Sequence, residues 1–177
     1  LQILAIDLLA ELFPIAALGW DKEEGEVMKQ RPRNPRAHIL NRRTILDIFW
    51  SVGIIGAFAL LNFLLFFNRH DVNALEASAA VIASATTMTY VTIVFCQLLN
   101  IMQRRSIHGF FSRYQFHNRQ FWGSLLLSAI IVCSIVYVPA VSQFFGSGSL
   151  SIQDWLCVFA AGAAFIAIRE TQRKFTI

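Results

Sequence analysis

Charged residues are scarce in this chain of 177 amino acids: they make up 15% of it, while hydrophobic residues make up 56%. A water-soluble domain carries roughly a quarter charged residues, so the composition excludes an ordinary soluble domain. Helix-interrupting residues are also few, with four prolines and nine glycines, whereas phenylalanine occurs sixteen times. This balance favours lipid-facing helices. The sequence therefore predicts an all-α, multi-span transmembrane helix bundle.

Residues with the spacing of a catalytic centre or a structural metal site are missing too. Cys96, Cys133 and Cys157 all fall within apolar runs and lack metal-ligand spacing, so they are interpreted as packing residues. None of the four histidines has another histidine or a cysteine four residues away, which argues against zinc. No phosphate-binding loop or nucleophile–base arrangement is visible. We expect no catalytic and no cofactor-binding residues within these 177 positions.

Five apolar segments are candidates for membrane spans, for which a helix needs about 20 residues. They cover residues 1–18, 45–67, 78–101, 121–144 and 152–168. The first segment is short and opens without a polar flank, so we expect a truncated first span. The predicted organisation is a partial first helix over 1–18, a basic loop over 19–44 and a four-helix bundle over 45–177.

Basic residues occupy alternate connectors. All 15 lysines and arginines except Arg69 fall within 19–44, 102–120 or the tail from 169 onward. Because positively charged connectors stay on the cytoplasmic side, this predicts a multi-pass membrane protein with a cytoplasmic C-terminus. Topology thereby accounts for the formal net charge of +4, so the expected partner is membrane lipid and no nucleic acid.

Two carboxylates, Asp7 and Glu11, lie one helical turn apart in the first segment, shortly before Pro14. A carboxylate within a bilayer is costly, so it usually faces a cavity, a partner or an ion. Pro14 removes the amide that would bond the carbonyl of Ala10 and so frees another oxygen. Oxygen ligands suit a hard cation, and Asp7 and Glu11 are predicted to bind a transported cation. From their spacing alone, exposure to water or pairing with distant basic residues is an equal alternative.

Amides and glycines within the spans indicate further contacts. Gln97 and Asn100 lie three residues apart in the third segment, where their oxygens are weaker candidates for the same cation. Amides in spans also bond neighbouring helices, and this packing role is favoured by the residues alone. Gly53 and Gly56 in the second segment, and Gly162 in the last, predict close helix packing.

The connector after the first segment carries a resemblance to a known family. The string ALGWD, residues 17–21, is followed by EVMKQRPRNP, residues 26–35. This pattern resembles the type II P-type cation-transporting ATPases, which include the sodium/potassium, proton/potassium and calcium pumps. The resemblance covers the whole chain as helices six to ten of a ten-helix fold. The string MKQRPRNP looks closest to the sodium/potassium branch.

The resemblance implies roles for the same polar residues. Asp7 matches a position that is Asp in sodium/potassium pumps and Asn in calcium pumps, and Glu11 matches an Asp shared by both; these positions bind the transported cation. Gln97 and Asn100 match residues near the ion sites on the eighth helix. Calcium pumps carry a ligating glutamate where this chain has Val94. The ion, Na⁺/K⁺ or Ca²⁺, therefore stays open.

The resemblance also implies a mechanism that extends beyond this chain. Such pumps work by alternating access, driven by ATP hydrolysis and phosphorylation of an aspartate in an upstream domain, so ATP and Mg²⁺ are expected for the full pump, in the plasma membrane. The expected partners are the transported cation and those upstream domains. Two alternatives stay open: a stand-alone, non-enzymatic modulator of a pump, and a secondary transporter with an intramembrane acid pair. No inverted repeat, which would favour the transporter, is found.

Overall fold

The structure is a computed structural model that describes residues 11–21, 40–72, 77–106, 110–111 and 113–176. Its helices are α1, Leu12–Ala17; α2, Arg42–Arg69; α3, Ala79–Arg105; α4, Arg119–Tyr137; α5, Pro139–Phe145; and α6, Ile152–Thr176. Two 3₁₀ turns, Leu18–Trp20 and Arg113–Phe116, follow α1 and precede α4. The described ranges contain no strand, so the predicted all-α class is confirmed.

Four of these helices, α2, α3, α4 and α6, are long and apolar enough to cross a membrane. They correspond to the last four of the five predicted spans. The count of five is not confirmed, because the part of the chain that the structure describes contains four. The other predicted span is 1–18, of which residues 1–10 lie outside the described part of the chain. The described end of this span contains the six-residue helix α1.

The spanning helices begin at polar side chains that satisfy their first amides. Asn41, Ser78 and Asn118 each accept a hydrogen bond from the backbone amide three residues ahead. Such caps supply a partner for amides that have none within the helix. Helix α2 begins at Arg42, before the predicted apolar segment, and α3 continues to Arg105. Basic residues therefore lie on the first turn of α2 and on the last turn of α3.

The predicted fourth span, 121–144, is wrong as a single helix. Helix α4 ends at Tyr137 and α5 begins at Pro139. A proline lacks the amide donor and disfavours helical backbone in the residue before it, and Val138 is extended, with φ −82° and ψ 115°. Helix α5 then ends at Gly146, whose φ of 65° is left-handed and suits glycine.

Helix α3 is the centre of the bundle and contacts α1, α2, α4 and α6. Its two halves belong to different core clusters. The first half packs among residues of α2, α4 and α6, including Phe66, Met88, Val91, Ile135 and Val158. The second half packs with α1, α4 and α6, including Ala17, Cys96, Leu99, Phe121 and Phe165. The core thereby fixes the position of α1 against α3 and α4.

Glycine has the predicted packing role at only one of the three positions. A Cβ atom at Gly162 would overlap the ring of Phe95, so glycine is required where α6 lies against α3. At Gly53 and Gly56 an added Cβ would meet nothing within 4 Å. The prediction of close packing there is wrong among the described residues, because this face of α2 is not covered by another described helix.

Candidate cation site and its supporting contacts

Glu11 is the first described residue and lies in a π-helical turn directly before α1. Pro14, in the first turn of α1, is buried and cannot donate to the carbonyl one turn back. Widened helical turns occur where this bonding pattern is interrupted. Glu11 is half-buried and its Oε1 is shielded from solvent. Asp7 lies outside the described residues, so its pairing with Glu11 stays a prediction.

Gln97 supplies an oxygen on the neighbouring helix. It is half-buried on α3, and its Oε1 is buried and accepts no hydrogen bond from the described residues. Helix α1 contacts α3, and Ala17 shares a core cluster with Cys96, the residue next to Gln97. A buried amide oxygen normally has a donor or a ligand. Of the three predicted ligands that the structure describes, Glu11 directly precedes α1, and Gln97 and Asn100 lie on α3, the helix that α1 contacts.

Asn100 has a different partner. Its Oδ1 accepts a hydrogen bond from Arg104 Nε at 3.2 Å, one turn along α3. Arg104 also donates to Ser51 on α2 at 3.0 Å and pairs with Asp47 at 2.8 Å. Asn100 thus helps to orient an arginine that joins α3 to α2, and its role as a cation ligand stays a prediction.

The described ranges contain no group of three His, Cys, Asp or Glu side chains that would hold a metal ion. The predicted cation site draws on the carboxylate of Glu11 and the amide of Gln97 among the described residues, and on Asp7 from the part not described; that these groups bind one ion stays a prediction. Carboxylate and amide oxygens are the ligands that calcium and other hard cations prefer.

The sequence did not predict a buried polar network, here called the Asp21 network, of Asp21, Arg105, Gln115 and Asn118. Arg105 donates to both oxygens of Asp21, from Nε at 2.7 Å and from Nη2 at 2.8 Å. Asn118 Nδ2 donates to Asp21 Oδ1 at 2.7 Å. Arg105 Nη1 donates to the Gln115 carbonyl at 2.8 Å. This fork geometry is the strong form of an arginine–carboxylate pair.

The Asp21 network joins three elements of the bundle. Arg105 is the last residue of α3, its side chain is 1% exposed, and it lies over the ring of Phe121 at 4.5 Å. Asn118 caps α4 and also donates to the carbonyl of Ala17, the last residue of α1, at 3.3 Å. The C-terminal end of α1 is thereby fixed to the end of α3 and the start of α4.

The sequence held partial signals of this network. Asp21 directly follows the ALGW turn, and Asn118 precedes an apolar segment as a helix cap does. Nothing in the sequence indicates a partner for Arg105. Arg105 and Asp21 are 84 positions apart in the chain, so no local sequence pattern predicts their pairing. It depends on how the helices pack.

Ion pairs also join α2 and α6 at both of their ends. At one end Asp47 accepts from Arg169 at 2.6 Å and from Arg104. At the other end Arg69 pairs with Asp154 at 3.1 Å and donates to Gln153 at 2.8 Å. The basic ends of α2, α3 and α6 therefore meet at one end of the bundle, as the alternating connectors predicted.

Comparison with known proteins places the chain among transport ATPases. The model of the family described as "Cation transporting ATPase, C-terminus" matches residues 1–175. The chain is 29% identical over 163 residues to a calcium-transporting ATPase of Bacillus subtilis (strain 168), covering 92% of this chain and 17% of the relative. It is 29% identical over 185 residues to calcium-transporting ATPase 1 of Bacillus cereus (strain ATCC 10987 / NRS 248), covering 96% and 20%. Calcium-transporting ATPase type 2C member 2 of Rattus norvegicus is 28% identical over 171 residues, covering 96% and 17%.

The chain thus spans only 17% to 20% of the length of these relatives. All three are named as calcium-transporting ATPases. The closeness of MKQRPRNP to the sodium/potassium branch is therefore not confirmed.

Proposed function

Since the chain belongs to the cation transporting ATPase C-terminus family, we propose that it forms the C-terminal membrane part of an ATP-driven calcium pump. The names of the relatives support calcium as the ion. The structural observation that carries the proposal is the half-buried carboxylate of Glu11, in a loosened helix packed against the helix that bears Gln97. Carboxylate and amide oxygens are suitable calcium ligands.

In this proposal the segment that leads into α1 supplies the charged ligands, and the helices of the bundle support it. Asp7 and Glu11 neutralise the cation within the bilayer, and Gln97 contributes an uncharged oxygen. Asn100 contributes only if Arg104 releases its Oδ1 or shares it, since that oxygen already accepts a hydrogen bond.

ATP, Mg²⁺ and the phosphorylated aspartate belong to domains outside these residues, and their action must reach α1. The Asp21 network holds the C-terminal end of α1 against α3 and α4. Movement of the ligand-bearing turn therefore takes place at Pro14, where the helical hydrogen bonding is interrupted. This arrangement suits alternating access, because the carboxylates can shift while the helix end stays in place.

The orientation that we propose places the basic end of the bundle in the cytoplasm, with the C-terminus on the same side, in the plasma membrane. Its support is the gathering of the arginines of α2, α3 and α6 at one end, around Asp47. The positive-inside rule assigns that end to the cytoplasm.

The test is calcium-dependent phosphorylation of the full-length protein that contains this chain. Purified protein is incubated with labelled ATP and Mg²⁺, with Ca²⁺, Na⁺ or K⁺ varied separately, and the phosphorylated protein is measured. Ca²⁺ alone should support phosphorylation in the wild type. Glu11→Gln should abolish it, because the substitution removes a negative charge that faces the cation.

Asp71→Asn is the matched control, since it also converts a carboxylate to an amide but at an exposed position after α2. Asp71 has a φ of 49°, which asparagine tolerates well. This variant should keep wild-type calcium dependence. Unchanged calcium dependence in Glu11→Gln would refute the site, and phosphorylation that responds to Na⁺ but not Ca²⁺ would refute the ion.

A further inference from the structure

A large open cavity lies at the basic end of the bundle, away from Glu11. Its volume is about 1000 Å³, and it is bounded by the first turns of α2, the last turn of α3 and the last turns of α6. Five arginines line it: Arg42, Arg43, Arg104, Arg169 and Arg173. In the proposed pump mechanism none of them binds the cation.

The charges around this cavity are unbalanced. Asp47, which also lines it, accepts from Arg169 at 2.6 Å and from Arg104 at 2.8 Å. Glu170 pairs with Arg173 at 3.4 Å. Among the described residues that line the cavity, five are arginines and one, Asp47, carries a carboxylate. An excess of arginines around a concave surface attracts an anion with several oxygens, because each guanidinium presents paired donors.

Unsatisfied polar atoms in the wall give a second, independent indication. The side chain of Arg169 is 9% exposed, and its Nε–H has no acceptor among the described residues. Gln103 is 7% exposed, and its Oε1 accepts no hydrogen bond there either. Buried polar atoms nearly always have partners. Two such atoms in the wall of one cavity indicate that a polar ligand completes their bonding.

Two large apolar side chains also line the cavity, on the part of its wall that α2 forms. Leu46 and Trp50 line the cavity and are 59% and 53% exposed, within the membrane-spanning helix α2. Tryptophan near the end of a span marks the interface between headgroups and hydrocarbon. A ligand of this cavity therefore meets arginines on one side and hydrocarbon on the other.

We propose that this cavity binds an anionic phospholipid, with its phosphate among the arginines and its acyl chains along Leu46 and Trp50. A soluble anion would use the arginines but not the apolar wall. A zwitterionic lipid would bring a choline cation into a site with excess positive charge. The site lies in the leaflet that the positive-inside rule makes cytoplasmic, and it does not depend on pump activity.

The experiment measures binding of short-chain lipids to the full-length protein in detergent, by thermal unfolding and by native mass spectrometry. The probes are dioctanoyl phosphatidylglycerol, dioctanoyl phosphatidylcholine and inorganic phosphate. Phosphatidylglycerol should raise the unfolding midpoint and remain bound in the mass spectrometer. Phosphatidylcholine and inorganic phosphate should do neither at the same concentration.

Arg42→Gln tests the assignment to this cavity. Arg42 is the exposed first residue of α2, and its side chain makes no hydrogen bond or ion pair with a described residue, so the variant should fold. Its affinity for phosphatidylglycerol should fall about fivefold, the factor expected for one arginine near an anionic lipid surface. Arg119→Gln is the matched control, since Arg119 is the exposed first residue of α4 and lies outside this cavity.

The outcomes separate the possible ligands. Equal stabilisation by phosphatidylcholine, or equal stabilisation by inorganic phosphate, would overturn the proposal of an anionic lipid. Wild-type affinity in Arg42→Gln, or an equal loss in Arg119→Gln, would overturn the location.

Discussion

At the scale of single residues, the polar atoms of α3 divide into two groups. The hydroxyl groups of Thr86, Thr87, Thr89 and Thr92 donate to carbonyls of their own helix. The hydroxyl oxygen of Tyr90 and Oε1 of Gln97 are buried without a hydrogen bond to any described residue. Threonine can be buried in a span at little cost because it satisfies itself, whereas an amide oxygen cannot. Gln97 is therefore more informative about function than the threonines are.

The first prediction at this scale concerns Gln97→Leu. This substitution keeps a similar volume and removes the oxygen, so it should weaken the calcium affinity of the full-length protein by about tenfold, as loss of a supporting group at a metal site does. Thermal stability should not fall, because a buried acceptor without a partner is itself destabilising by about 1–3 kcal/mol. Calcium dependence of phosphorylation measures the affinity.

Tyr90→Phe provides the comparison. It removes another unpartnered polar atom from the same face of α3, two turns before Gln97. Its calcium affinity should equal that of the wild type. If both variants lose affinity to the same degree, the effect belongs to packing of α3 and not to ligation by Gln97.

At the scale of elements, α1 depends on its neighbours for its position. Six residues are too few to form a stable isolated helix. Its end is held through the carbonyl of Ala17 and the carboxylate of Asp21, both of which accept hydrogen bonds from Asn118. The same asparagine caps α4, so one side chain fixes the relative position of two helix ends.

Removal of the Asp21 charge should therefore destabilise the membrane part. Arg105 is 1% exposed and Asp21 is 15% exposed, so Asp21→Asn leaves a buried guanidinium without its counter-charge. Breaking such a pair costs about 3–5 kcal/mol. We expect a clear decrease in the unfolding midpoint of the full-length protein in detergent.

Glu170→Gln is a suitable comparison for this effect. It breaks the pair with Arg173, whose side chain is 33% exposed, and partly exposed pairs contribute at most about 1 kcal/mol. Its unfolding midpoint should stay near that of the wild type. Equal midpoints for Asp21→Asn and the wild type would mean that the Asp21 network does not hold α1 in place.

At the scale of the whole molecule, the ionic contacts order the bundle from end to end. On the basic side, Asp47 near the start of α2 pairs with arginines near the ends of α3 and α6. On the other side, Arg69 joins α2 to α6. Asn62 of α2 donates to Thr92 of α3 at 2.8 Å between these two levels. Helices α2, α3 and α6 are thereby held together at several depths.

The orientation can be tested by labelling single cysteines in a variant whose other cysteines are replaced by alanine. Ser149 and Arg119 are exposed at opposite ends of the bundle. In intact cells a membrane-impermeant maleimide should label Ser149→Cys and should label Arg119→Cys only after permeabilisation. The reverse pattern would contradict the cytoplasmic assignment of the basic end.

Much of this architecture could be predicted from the sequence. Long apolar runs bounded by basic residues predict the four spans, because the hydropathy and length of a span are properties of one continuous stretch of sequence. The break at Val138–Pro139 was predictable in principle from the proline, yet the continuous apolar run around it favoured one long helix. The lack of neighbours at Gly53 and Gly56 was not predictable. A glycine allows another helix to approach closely, but it does not show that a helix is there.

The candidate site was less accessible to sequence reasoning than the fold was. Glu11 stands out because a carboxylate in an apolar segment is rare. Gln97 and Asn100 look alike in the sequence, and only their contacts separate them: Asn100 accepts from Arg104, while Oε1 of Gln97 has no described donor. The arginine cavity could not be predicted at all, because it is assembled from the ends of three helices that are distant in the chain.

The two ion pairs at the ends of α2 also define a hydrophobic thickness. Asp47 and Arg69 lie 22 residues apart on this helix, a rise of about 33 Å at 1.5 Å per residue. The hydrocarbon core of a typical bilayer is about 30 Å thick. The charged side chains thus lie near the two headgroup layers when α2 is only slightly tilted. The bundle consequently matches an ordinary bilayer without local thinning, and a markedly thicker or thinner membrane would draw one of these pairs into hydrocarbon or leave apolar surface in water.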